Sequence, residues 1–174
     1  TGWIFQNPNP GLDLYWIGGA GDWNDPNHWS ETDGGPAGAC LPNGGSNVFF
    51  TANSGFSAGN NVVNVSLSAY CKNMDWTGVT GNPSFYAPFP SSSPVAEPAL
   101  HIYGSLTFDV GMVNNFGGPV RFRTANQATV TSANQELRYT IFEGTGTWVF
   151  QDQFNCKDYP VYHKRGTIRT LGNP

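Results

Sequence analysis

Short runs of alternating apolar and polar residues recur along this chain, and their spacing restricts the possible folds more than any other feature. The apolar anchors of the clearest runs lie 20, 19 and 20 residues apart, from Ile102 to Phe122, from Phe122 to Ile141, and from Trp148 to Ile168. Alternation with period two over four or five residues predicts half-buried strands, and no segment of useful length has helical spacing. Strands at a regular interval of about 20 residues are typical of a solenoid, in which each turn packs against the next.

Glycine and asparagine separate the runs, for example at Asn43-Gly44, Gly59-Asn60-Asn61 and Gly81-Asn82-Pro83. Both residue types tolerate the positive φ of tight turns. We therefore predict an all-β protein, a short right-handed parallel β-helix (a solenoid) with an aromatic cap at its N-terminal end. A β-sandwich or jelly roll is the alternative, because such folds also join short strands by turns, although at intervals of about 8–12 residues.

The composition excludes several functional classes. The 174 residues fit one domain. Disordered chains contain few aromatic residues, so an aromatic content of 14% indicates a folded protein. Only eight Lys and Arg side chains are present and the net charge is −4, whereas a nucleic-acid binder needs a basic stripe. No stretch reaches the roughly 18 apolar residues of a membrane span. A weakly charged, turn-rich β protein of this kind is expected to be extracellular.

One stretch breaks the alternating pattern. Residues 83–98 read PSFYAPFPSSSPVAEP, and their five prolines and four serines do not suit a central strand. We predict a Pro/Ser-rich loop that leaves one turn of the solenoid. Its aromatic side chains, Phe85, Tyr86 and Phe89, are candidates for contact with a glycan.

The stretch YWIGGAGDWNDPNHWS near the start combines aromatic rings with short polar side chains. Trp16, Trp23 and Trp29 are predicted to plug the first turn, because an uncapped solenoid exposes apolar surface and strand edges. Exposed tryptophans that stack on sugar rings are the alternative. Asp22 and Asp25 are candidate calcium ligands, since calcium takes six to eight oxygen atoms; the alternative is that they accept backbone N–H groups in Asx-turns.

Three cysteines are present and none forms a CxxC pair, so zinc is not expected. We predict a disulfide between Cys40 and Cys71, which both lie in the first half of the chain. Cys156 then remains as a free thiol. The alternative is three buried thiols that pack as small apolar side chains.

Taken together, several segments resemble a repeat module of very large Bacteroidetes cell-surface proteins, which the type IX system exports and which are often described as gliding-motility or adhesin-like. The matching segments are YWIGGAGDWNDPNHWS, GGPAGACLPNGGSNVFFTANSGF, YCKNMDWTG, LHIYGSLTF, ATVTSANQEL and WVFQDQFNC. The resemblance covers residues 12–171. It implies that residues 1–11 are a linker or the tail of a preceding module, that 12–174 are one solenoid module, and that neighbouring modules or copies of the chain are the partners.

The predicted function is therefore a structural or adhesive module of a bacterial cell-surface protein or fibre, without catalysis and without a cofactor other than a possible calcium ion. A glycan-binding module is the alternative, with surface glycans as partners. A polysaccharide lyase or hydrolase is the third reading, and its candidate residues are Asp152, Asp158, His163, Lys164 and Arg165. His28 and His101 have no Cys or His partner at ligand spacing, and His101 is expected on the polar side of its strand.

Overall fold

The computed structural model describes residues 11–88, 98–156 and 159–171. These residues form 17 short strands and two single-turn 3-10 helices, Pro26–His28 and Ala52–Ser54. The strands are β1 (Asp13–Trp16), β2 (Gly21–Asp22), β3 (Trp29–Ser30), β4 (Asn47–Phe49), β5 (Val62–Asn64), β6 (Ala69–Cys71), β7 (Met74–Asp75), β8 (Ser84–Ala87), β9 (Leu100–Ile102), β10 (Leu106–Thr107), β11 (Val113–Phe116), β12 (Val120–Phe122), β13 (Gln127–Thr131), β14 (Thr140–Phe142), β15 (Thr147–Phe150), β16 (Val161–His163) and β17 (Thr167–Thr170). The predicted all-β class is confirmed.

Within the described residues the strands form three sheets, and none of these sheets closes into a barrel. The first has eight strands in the order β17-β15-β13-β10-β7-β4-β1-β3. The second has four, β11-β8-β5-β2, and the third has five, β16-β14-β12-β9-β6. Among the described pairs of strands, β1 and β3 are antiparallel and all others are parallel.

The register places residues of similar character side by side in neighbouring strands. Phe122 is paired with Phe142, and Thr147 is paired with both Gln127 and Thr167. These partners lie 20 residues apart along the chain, which is the interval seen between the apolar anchors. Parallel pairing in this register therefore places similar side chains in columns that run across the strands. Some of these columns lie in the interior and others lie on the outer faces of the sheets.

The interior columns are largely aromatic. Phe50 and Trp76 stack with ring centroids 3.6 Å apart, and Phe122 and Phe142 stack at 5.0 Å. All four rings are fully buried. Stacked aromatic pairs contribute about 0.5–1.5 kcal/mol each beyond the burial of their area. The aromatic content thus supplies the core that short strands of two to five residues need.

Outer positions of the first sheet carry a ladder of amide side chains. Asn47 Nδ2 donates to Asp13 Oδ1 at 2.7 Å, and Asn73 Nδ2 donates to Asn47 Oδ1 at 2.8 Å. Asn73 Oδ1 in turn accepts from the backbone N–H of Ser105 at 2.7 Å. The side chains of Asn47 and Asn73 therefore each link neighbouring strands of the sheet.

The predicted loop at 83–98 is wrong for its first part. Ser84–Ala87 forms β8, which pairs in parallel with β5 on one side and β11 on the other. Pro83 and Pro88 lie on either side of this strand. No residue within Ser84–Ala87 is a proline, so none of them lacks the N–H that the sheet hydrogen bonds require. Residues 89–97 of the predicted loop lie outside the described residues, as do residues 1–10 of the predicted linker.

Candidate functional site

The three tryptophans of the opening stretch are buried at the β1–β3 end of the first sheet. Trp16 and Trp29 meet edge to face at 5.2 Å, and Trp23 and Trp29 do so at 4.9 Å. The indole N–H of Trp16 donates to Gly19 O at 2.7 Å, and that of Trp29 donates to Trp23 O at 2.8 Å. At most 1% of each side chain is exposed, so no ring face is open to a sugar.

Asp22 and Asp25 hold the local backbone. Asp22 accepts from the N–H of Asn24 at 2.9 Å and from Nδ2 of Asn64 at 2.7 Å. Asp25 caps the 3-10 helix and accepts from both the N–H and the Nδ2 of Asn27 at 2.9 Å. The part of the chain that is described contains no group of three His, Cys, Asp or Glu side chains placed to hold a metal. Calcium binding at these carboxylates stays a prediction.

The predicted disulfide between Cys40 and Cys71 is wrong. All three cysteines are free thiols. Cys71 points into the core from β6 and is fully buried, whereas Cys40 is exposed in the segment between β3 and β4. Burial raises the pKa of the Cys71 thiol far above its usual value, so this side chain behaves as a small apolar residue.

Two of the three aromatic residues predicted to contact a glycan lie in β8, where their side chains point to opposite faces of the sheet. Phe85 is fully buried and stacks on Phe116 at 5.1 Å, so its prediction as a glycan contact is wrong. Tyr86 points to the other face and is 40% exposed. Phe89 lies outside the described residues.

The residues considered for lyase chemistry are distributed over different sheets. Asp152 follows β15 of the first sheet and accepts from the backbone N–H groups of Ser132 and Ala133 at 2.8 and 2.6 Å. His163 and Lys164 lie at the end of β16 in the third sheet. Asp158 lies outside the described residues. Asp152 therefore secures a turn and is not joined to the basic side chains that follow β16.

Lys164 and Arg165, which follow β16, line an open groove of about 500 Å³. The other lining residues are Tyr103, Arg123, Glu143 and Gly144. Of the lining residues, Lys164 and Arg165 are candidates from the sequence, whereas the sequence does not single out the others. Tyr103, Arg123, Glu143 and Lys164 each come directly after a strand of the third sheet: β9, β12, β14 and β16. They occupy matching positions 20 or 21 residues apart, so the interval between anchors was the signal that could have grouped them.

Backbone hydrogen bonds between neighbouring strands hold these residues side by side. The N–H of Arg123 donates to Ile102 O at 2.7 Å, and the N–H of Lys164 donates to Phe142 O at 2.8 Å. Hydrogen bonds of the same kind hold Tyr103 and Glu143 at 3.0 Å. The sheet ladder thus continues one residue past the ends of β9, β12, β14 and β16, and at each of these four ends that residue has a charged or phenolic side chain.

Glu143 lies at the centre of the charges. Its carboxylate accepts from Arg123 Nε at 2.7 Å, and it is 3.3 Å from Arg121 Nη1 and 3.6 Å from Lys164 Nζ. Partial burial acts to raise the pKa of Glu143, but the hydrogen bond from Arg123 and the three positive charges outweigh it and lower the pKa. Arg123 Nη1 also donates to the Tyr103 hydroxyl at 3.3 Å. In the described part of the chain, the guanidinium of Arg165 makes no hydrogen bond or ion pair.

His101 lies beside this cluster and is buried, contrary to the expectation that it faces solvent. Although it alternates with the interior Leu100 and Ile102, its ring stacks on Tyr70 at 4.5 Å and only 4% is exposed. Neither ring nitrogen has a hydrogen-bond partner among the described residues. Desolvation, followed by the positive charges of Arg123 and Arg121, lowers the pKa of His101 to about 4. The imidazole is therefore neutral at pH 7.

Comparisons with known proteins identify no relative. No protein-family model, no curated protein and no solved structure matches the chain. Among the described residues, no helix has the length and apolar character needed to span a bilayer.

Proposed function

We propose that this chain winds as a short right-handed parallel β-solenoid and serves as a structural, adhesive module of a bacterial cell-surface protein or fibre. The observation that carries the proposal is the parallel pairing of successive strands at an interval near 20 residues. From β4 to β13 the chain visits the first, second and third sheets in turn, three times over, before it returns to the first. Right-handed winding is expected because parallel crossover connections are right-handed in about 98% of cases.

The alternative, a β-sandwich or jelly roll, is compatible with an all-β chain in several sheets. Such folds are built from antiparallel strands, however, and hairpins connect their neighbours. The one antiparallel pair of described strands joins β3 to β1 at the first edge. There it supports a capping role for the buried Trp16, Trp23 and Trp29, since it covers an edge that would otherwise be open.

The opposite end of the described sheets has a different character. β16 and β17 are edge strands, as β3 is at the first end, but both residues of β3 are buried whereas all residues of β16 are exposed, including Val161 and Tyr162 at 37% and 43%. An unpaired strand edge presents free N–H and C=O groups to another chain. A capped first edge and an open last edge favour head-to-tail contact between modules or copies.

The two ends of the described sheets also differ in charge. Residues 1–71 contain five carboxylates, of Asp13, Asp22, Asp25, Glu31 and Asp33, and no Lys or Arg. Residues 159–171 contain Lys164, Arg165 and Arg169 and no carboxylate. Opposite charges at the two ends steer association and disfavour contacts between like ends. The predicted mechanism is therefore mechanical: stacked turns give a stiff rod, and repeated weak contacts give avidity.

The test is a tandem of one, two and three copies of the chain, measured by small-angle X-ray scattering and electron microscopy. The seven strands that stack in parallel in the first sheet predict a rise of about 30 Å per copy at about 4.8 Å per strand. We expect rods that lengthen by this amount with every added copy at constant cross-section. Independent beads on a flexible string would contradict the stacking of modules, and a length increment per copy far from about 30 Å would contradict the solenoid.

A further inference from the structure

We propose that the groove lined by Tyr103, Arg123, Glu143, Lys164 and Arg165 binds the carboxylate or sulfate groups of an acidic polysaccharide. The groove is on an outer face of the third sheet and needs no second copy of the chain to be complete. This site is distinct from the glycan contacts predicted at Phe85, Tyr86 and Phe89. It goes beyond a structural role, because it assigns the module a class of ligand.

The first step is the concentration of positive charge. The chain has eight Lys and Arg residues and a net charge of −4. Four of the eight, Arg121, Arg123, Lys164 and Arg165, gather around the one carboxylate of Glu143. A net acidic protein therefore carries a local surplus of positive charge, and an anion is the ligand that offsets it.

The second step is preorganisation. Glu143 and the Tyr103 hydroxyl hold the Arg123 guanidinium from two sides, at 2.7 and 3.3 Å. Lys164 is looser, at 3.6 Å from Glu143 with about half of its side chain exposed. The Arg165 side chain lines the groove without a hydrogen bond or ion pair among the described residues. Its planar fork of donors is free to take a carboxylate or sulfate in a bidentate geometry.

The third step is the choice between sugar and nucleic acid. Tyr103 lines the groove, and Tyr70 and Tyr162 lie on the outer face of the same sheet with 38% and 43% exposed. Exposed phenol rings offer apolar faces with a polar tip, which suits sugar rings. Double-stranded DNA carries one charge per about 1.7 Å and calls for a long basic stripe, which these four cations do not form. An acidic polysaccharide is more sparsely charged, so a compact cluster is sufficient.

The test is isothermal titration calorimetry at low salt, with a short oligogalacturonate, a sulfated oligosaccharide of similar length and a neutral dextran oligosaccharide. We expect saturable binding of at least one acidic sugar and no binding of dextran; the two acidic ligands distinguish carboxylate from sulfate. Arg165→Gln should weaken that binding at least about tenfold, because a charge-assisted hydrogen bond is lost. Circular dichroism should show an unchanged fold, since the guanidinium of Arg165 makes no hydrogen bond or ion pair among the described residues.

The matched control is Arg169→Gln, which removes the same charge from an exposed position of β17 in the first sheet that does not line the groove. We expect it to change the affinity by less than about twofold, because solvent and salt screen an exposed charge that does not contact the ligand. Equal weakening by both variants would overturn the proposal, because it would indicate long-range attraction alone. Failure of both acidic sugars to bind would also overturn it, and so would an oligothymidylate that binds as tightly as the better sugar.

Discussion

His101 is predicted to make the stability of this protein depend on pH in the weakly acidic range. The ring is buried, stacked on Tyr70 and without a hydrogen-bond partner among the described residues, and its pKa is lowered to about 4. In the unfolded chain a histidine titrates near its usual value of about 6.5. Between these two values the unfolded state binds a proton that the folded state rejects. The contribution of neutral His101 to stability is therefore complete above pH 6.5 and is lost as the pH falls towards 4.

The magnitude follows from the two pKa values. Between about pH 7.5 and about pH 5, linkage gives a loss of about 2 kcal/mol in the free energy of unfolding from this one group. His101→Phe keeps a flat ring on Tyr70 and removes the titration together with two unsatisfied nitrogen atoms. At pH 7.5 we expect this variant to be as stable as the wild type or more stable by about 1–2 kcal/mol. Its unfolding free energy should then fall by about 2 kcal/mol less than that of the wild type on acidification to about pH 5.

The assay is equilibrium unfolding in urea at the two pH values, followed by tryptophan fluorescence. His163→Gln is the matched control, because it removes an exposed histidine from β16 of the same sheet. It should retain the full pH dependence of the wild type. If His101→Phe loses as much stability as the wild type between the two pH values, the burial of a neutral imidazole is not the cause and the reasoning is refuted.

Three further predictions concern the core, a turn and the thiols. Trp76→Ala should lower the free energy of unfolding by about 3–5 kcal/mol, because it empties the stack on Phe50, whereas Tyr86→Ala at an exposed position should cost less than about 1 kcal/mol in the same urea titration. Asp152→Asn should lower the free energy of unfolding by about 1–3 kcal/mol, because the Asn side chain has one acceptor oxygen where the carboxylate accepts from the N–H groups of Ser132 and Ala133 with two. An unchanged unfolding midpoint would contradict this prediction. With a thiol reagent, Cys40 should react in the native protein and Cys71 only after denaturation, and rapid native labelling of Cys71, located by peptide mass, would contradict its burial.

Much of the secondary structure was predictable because alternation is a local property of the chain. The alternating runs with anchors at Ile102, Phe122, Ile141, Trp148 and Ile168 correspond to β9, β12, β14, β15 and β17. Local rules failed where two signals competed. Pro83 and Pro88 suggested a loop, but prolines at both ends of Ser84–Ala87 leave the strand itself intact. Proximity in sequence also suggested the wrong disulfide, because it says nothing of the face on which Cys71 lies.

The candidate groove was largely invisible in the sequence. The sequence groups Lys164 and Arg165 with Asp152 and His163, since these residues are close in the final part of the chain. The structure groups Lys164 and Arg165 instead with Glu143, Arg123 and Tyr103, because Tyr103, Arg123, Glu143 and Lys164 follow successive strands of the third sheet. Stacking of parallel strands in register makes residues near 20 positions apart into neighbours, and a reading of short windows does not compare such positions.

The sequence by itself determined that this chain is all-β, that its strands are short, and that their anchors recur about every 20 residues. Period two and turn residues are sufficient for that, because they reflect the local conformation of the backbone. Only the tertiary structure decided which outer side chains are covered, such as His101, and which converge, such as Arg123 and Glu143. Alternation assigns a side chain to one of two faces, whereas the register between strands decides what lies beside it on that face, and burial, pKa and charge pairing all follow from those neighbours.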